Sequence, residues 1–83
     1  MPLWIRPKQT LKQETPTAWY EIGPLWIGKV NSITDRRAWV TFASPRKETQ
    51  FTTSISLEEL HLRFDVIKEP KDKHGLMEQE VYK

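Results

Sequence analysis

The sequence has no cysteine. Secreted domains of this size commonly rely on disulfides, so the absence points to a reducing, cytosolic setting. It also removes thiolate metal ligands and thiol nucleophiles. Glycine is scarce, at Gly23, Gly28 and Gly75 alone, and none belongs to a loop motif that cradles phosphate. No apolar run approaches the roughly 18 residues of a membrane span, and the first residues lack the apolar core of a signal peptide. Imidazole is limited to His61 and His74. Glu58 and His61, at i and i+3, are two metal-ligating groups without a third, which do not make a site. The serines have no paired base in view. The expectation is a chain that is not an enzyme, with no cofactor and no metal.

Charge of either sign is nearly balanced. Thirteen basic and eleven acidic residues leave a net charge of +2 over 83 residues. The excess sits near the N-terminus, where Arg6, Lys8 and Lys12 face only Glu14. Such a balance permits contact with nucleic acid without requiring it. A chain this short holds one domain, and a domain of that size buries only about 60% of its unfolded surface. A deep cleft with a supporting second layer of residues is hard to build at that scale.

What is present is a series of short β-prone runs between residues 18 and 67. Ala18 to Ile22 is one, ended by the turn signal Gly23-Pro24. Leu25 to Thr34 is the next, and its apolar positions change phase after Ile27. Gly28 lies just before that change, where a glycine marks a β-bulge or sharp bend. Beyond the turn Asp35-Arg36-Arg37, the run Ala38 to Phe42 alternates, placing Val40 and Phe42 inward and Trp39 outward. The loop Ser44 to Glu48 leads to Gln50–Ile55, with Phe51, Thr53 and Ile55 on one face. Ser56 and Glu59 then fit a helix cap: the serine hydroxyl accepts the third helical N–H. Leu57, Leu60, Phe64 and Ile67 have helical spacing, while Leu60, Leu62, Phe64 and Val66 alternate as a strand would. The reading is a short capped helix from about Leu57 and an extended closing segment near Phe64–Ile67.

The flanks read as less ordered. Residues 1–17 contain Pro2, Pro7 and Pro16, which block helix interiors and central strands. They are expected to form an extended arm, mostly mobile, with docking of Trp4-Ile5 on the domain as the alternative. Residues 68–83 alternate in charge and carry few apolar side chains, so a flexible tail is expected. Leu76, Met77, Val81 and Tyr82 offer a weaker alternative, a helix that binds a partner. The division is therefore an arm over 1–17, a small barrel over 18–67 and a tail over 68–83.

The order of strand, bend, strand, turn and strand, then Ser56-Leu57-Glu58-Glu59-Leu60 and a closing segment, resembles Src-homology-3-like barrels. That class includes Tudor and KOW domains and typically places a single helical turn before its last strand. The resemblance implies a mostly-β barrel and a binding role, without choosing among protein, RNA, DNA and small-ligand partners. A second likeness is to short phage or prophage proteins of enteric bacteria. It rests on Arg-x-Trp-Val-x-Phe at Arg37 to Phe42 and on the Ser-Leu-Glu stretch from Ser56 to Phe64. It implies a small regulator that contacts nucleic acid or nucleic-acid machinery.

Two binding sites follow as expectations. Arg36, Arg37, Arg46 and Lys47 in loops, with Lys8 and Lys12 in the arm, are candidates for phosphate contact. Residues 35–37 and 45–47 lie at opposite ends of one strand, however, roughly 20 Å apart at about 3.3 Å per residue. Loops of this kind are also charged simply because they face water. The alternative is a protein-binding surface at Trp39, with Trp19, Tyr20 and Trp26 on neighbouring strands. Such a surface would grip an extended peptide or cage a cation. An open sheet edge offers a route to a homodimer, so monomer and dimer both stay open.

Overall fold

The computed structural model of the protein describes residues 3–46 and 49–71. Among these residues seven strands and one short helix follow one another: β1 (Leu3–Pro7), β2 (Leu11–Glu14), β3 (Trp19–Ile22), β4 (Ile27–Thr34), β5 (Arg37–Ala43), β6 (Gln50–Ser56), α1 (Leu57–Arg63) and β7 (Phe64–Ile67). The mostly-β expectation holds. The strands form a five-stranded sheet in the order β6-β5-β4-β1-β7 and a separate hairpin of β2 and β3. All pairings are antiparallel. The larger sheet ends at β6 and β7 and does not close on itself by hydrogen bonds.

The core follows from alternation along β5. Ala38, Val40 and Phe42 are fully buried, and the register sets Val40 between Val30 of β4 and Thr53 of β6. Phe42 meets Phe51 at 5.4 Å and Phe64 at 5.6 Å between ring centroids. Ile5, Ile55 and Leu60 complete the same cluster. Each such side chain contributes about 1.5–3 kcal/mol on burial. The β2–β3 hairpin covers this face with Ile22, which is fully buried, and with Tyr20, whose ring stacks on Phe51 at 4.1 Å. A smaller cluster of Trp4, Ile27 and Ala43, with Ile67 against it, is separate from this core. Residues 3, 5 and 7 alternate with 4 and 6, so Trp4 points to the side of β1 opposite Ile5.

The arm expected over residues 1–17 is not a separate element. Residues 3–7 form β1, between β4 and β7, and residues 11–14 pair with β3. Trp4 is 2% exposed and Ile5 is fully buried. Pro7 does not break the sheet because it is the last residue of β1, opposite Phe64, where little of the ladder remains to need its missing N–H. The boundary at residue 17 falls inside the hairpin. Its turn is closed by Thr15, whose backbone N–H donates to the carbonyl of Ala18 at 2.7 Å.

The bulge also lies elsewhere than expected. The register of β4 against β5 shifts between Val30 and Ser32, leaving Asn31 as the extra residue. This reverses the facing of everything after it, so Ile33 comes to lie opposite Ala38. Gly28 serves packing instead. A Cβ there would meet Phe42 Cε1 and Val40 Cγ1 at 2.9 Å and Ile5 Cγ1 at 3.0 Å.

Residues 57–67 resolve as the capped helix and closing strand. The Ser56 hydroxyl accepts from the Glu59 backbone N–H at 3.2 Å, and the backbone N–H of Phe64 donates to the Leu60 carbonyl. Leu60 and Phe64 face the core, whereas Leu62 is 70% exposed. Residues 68–71 carry neither helix nor strand. The rest of the expected tail, with His74 and the Leu76, Met77, Val81 and Tyr82 group, lies outside the described residues.

Candidate functional site

The outer face of β4, β5 and β6 is built by the same alternation that makes the core. With Ala38, Val40 and Phe42 turned inward, Arg37 and Trp39 turn outward and stay exposed, while Thr41, on the same face, is buried. The register places Ser32 and Ser54 on either side of Trp39, Thr34 and Ser56 beside Arg37, and Lys29 and Thr52 beside Thr41. Trp39 remains 46% exposed. Its cross-strand neighbours are serines, so no tall side chain stands against its ring on either strand. No carboxylate occupies any of these nine positions.

Polar contacts hold this face in place. The Asn31 side-chain amide donates to Thr41 Oγ1 at 2.9 Å, and Thr41 Oγ1 and Thr52 Oγ1 share a hydrogen bond at 2.9 Å. The bulge is what leaves Asn31 beside the strand it bonds. Arg37 donates from Nε to Ser54 Oγ and from Nη2 to the Ser54 carbonyl, both at 3.1 Å. These bonds hold the guanidinium along β6, next to Trp39, while the residue stays exposed. A guanidinium pre-set in this way loses less rotamer freedom when it meets an anion. The arrangement offers a ring face, a positioned cation and a row of hydroxyl and amide groups.

The structure sorts the expected basic residues into three places. Arg36 and Arg37 share the β4–β5 end. Asp35 and Arg36 have φ of 50° and 63°, the two left-handed residues of a tight primed hairpin turn. The Arg36 carbonyl accepts from the Leu57 N–H at 2.9 Å, tying that turn to α1. Arg46 lies past the other end of β5, exposed and apart from them. Lys8 and Lys12 lie instead near the C-terminal end of α1, since the Lys8 backbone N–H donates to the Arg63 carbonyl at 2.9 Å. Lys47 lies outside the described residues.

The expected cluster of Trp39, Trp19 and Tyr20 does not form. The neighbours of β5 are β4 and β6, whereas Trp19 and Tyr20 belong to the hairpin. Tyr20 is turned inward onto Phe51. Trp19 is exposed, with the Lys12 ammonium 4.5 Å from its ring centroid. Trp26 packs edge-on against Phe51 at 6.1 Å and belongs to the core. His61 is exposed on α1, and no three metal-ligating side chains converge among the described residues.

Alternation along β5 already sets Thr41 on the face of Trp39, but nothing in the sequence singled out Asn31 and Thr52. Those two required the strand register. The chain matches no protein family, no curated protein and no solved structure.

Proposed function

We propose that the chain is a small non-catalytic binding module, built as an Src-homology-3-like barrel, that takes single-stranded nucleic acid on the outer face of β4, β5 and β6. The fold part is supported by the β6-β5-β4-β1-β7 order and by the helical turn placed just before the last strand. The functional part is carried by one observation: Trp39 stands half exposed among polar neighbours, with Arg37 fixed beside it. An apolar peptide would be better served by a ring of apolar side chains around the tryptophan, which this face lacks. A duplex keeps its base faces stacked, so an exposed ring on a flat face suits unpaired bases. The base would stack on Trp39, a phosphate would meet Arg37, and the Asn31, Thr52 and Ser54 groups would contact sugar or base edges. A cytosolic regulator acting on nucleic acid, as the likeness to phage proteins implies, fits this reading.

The test is fluorescence anisotropy of labelled single- and double-stranded oligonucleotides titrated with the protein. Single strands are expected to bind better than duplex, and Trp39→Ala to weaken them roughly five- to 150-fold, the range for losing one base stack. Binding that is unchanged in Trp39→Ala, or no binding at low salt, would overturn the proposal and return the Trp39 face to the protein-binding reading.

A further inference from the structure

The β2–β3 hairpin and the end of α1 enclose a second feature that the nucleic-acid reading does not use. A groove of about 560 Å³ is lined by Gln9, Thr10, Leu11, Lys12, Leu62 and Arg63. That volume lies within the usual range for ligand sites, about 300–1,000 Å³. Its walls come from the β1–β2 loop with the start of β2 and from the end of α1, joined by the Lys8–Arg63 backbone hydrogen bond. Lys12 and Arg63 both line it, the Lys12 ammonium lying 4.5 Å from the Trp19 ring centroid, and Lys8 bonds Arg63 through its backbone. No carboxylate lines the groove. Glu21 lies opposite Lys12 on the hairpin, and Glu14 lies two residues on, both outside the lining. Glu58 and Glu59 lie one helical turn before Leu62 and Arg63, outside the lining.

Within these cationic walls Leu62 is 70% exposed. Its position in the sequence explains why. Leu57, Leu60 and Phe64 turn to the core, and Leu62 lies on the remaining side of a helix too short to bury both. A leucine held open between cations is poorly matched to a phosphate backbone, which would desolvate it against charge. It is well matched to a chain that carries carboxylates and an apolar side chain together.

We propose that this groove docks an acidic peptide segment, with carboxylates meeting Lys12 and Arg63 and an apolar side chain covering Leu62. The site is separate from the Trp39 face and does not depend on it. The module would then hold nucleic acid on one surface and an acidic protein segment on another.

The test uses the full chain, isotopically labelled, and a short peptide of alternating glutamate and leucine followed by backbone amide shifts. Shifts are expected at Gln9 to Lys12 and at Leu62 and Arg63, with the Trp39 face unmoved. The double variant K12E/R63E should weaken binding roughly tenfold or more, as expected for two rim ion pairs reversed. Leu62→Ser should weaken it severalfold. All three side chains are exposed, so circular dichroism should report an unchanged fold, and Trp39→Ala should bind the peptide as the parent does. Three results would overturn the proposal: no shifts at these residues, equal binding of a peptide with glutamine in place of glutamate, or a single-stranded oligonucleotide moving this groove instead of the Trp39 face. Because the two sites share no residue, either of the first two failures leaves the nucleic-acid reading standing, whereas the third overturns both.

Discussion

Two residues on β5 and β4 show how a single side chain can set either binding or stability. Arg37 is exposed and held to Ser54 by two hydrogen bonds. Replacing it by Gln should leave the melting temperature nearly unchanged, because exposed polar contacts contribute little. The same change should remove one phosphate contact and flatten the dependence of log K on log salt by about 0.7 for a single strand. An unaltered slope would place the phosphate elsewhere. Gly28 behaves in the opposite way. An alanine there would press on Phe42, Val40 and Ile5 at once. Overpacking of this kind costs about 1–3 kcal/mol, and thermal denaturation of Gly28→Ala should show that loss while oligonucleotide affinity of the folded protein is retained. Arg37 and Trp39 were each singled out by sequence, but for different partners. That they share a face follows from their spacing of two in a strand. The bond to Ser54 that holds Arg37 beside Trp39 was not visible without the β5–β6 register.

At the scale of elements, β1 decides the account. A pentapeptide ending in proline, in a proline-containing stretch, reads as an arm because its local signals are all negative. Its place is set by partners distant in sequence: Lys29 and Gly28 on one side and Asp65 to Ile67 on the other. No periodicity within residues 1–17 carries that information. By contrast α1 and β7 were legible, because the Ser56 cap and the Leu57-Leu60-Phe64 spacing are local. Two predictions separate these cases. Trp4→Ala should destabilise the domain by about 3–5 kcal/mol, a large share of the roughly 5–15 kcal/mol that domains possess. A mobile arm would show no change in chemical denaturation. Ser56→Ala should cost about 1 kcal/mol through loss of the cap, read as a small shift in denaturation midpoint with the slope unchanged.

For the whole molecule, the near balance of charge sets the expected behaviour. With a net charge of +2 and the basic residues split among three places, long-range attraction to a polyanion is weak. On the proposed reading, affinity for a single strand would come chiefly from the ring and the hydrogen-bonding groups of one face, so salt dependence should be shallow. Contacts from Arg36 and Arg37 alone correspond to a slope of about −1.4 for a single strand. The most direct measurement is a titration of the isotopically labelled protein with a short single-stranded oligonucleotide, following every backbone amide. Shifts are expected to centre on Arg37 to Thr41 and to extend to Asn31, Ser32, Thr52 and Ser54. Shifts confined to the hairpin and α1, or none at all, would contradict the nucleic-acid reading.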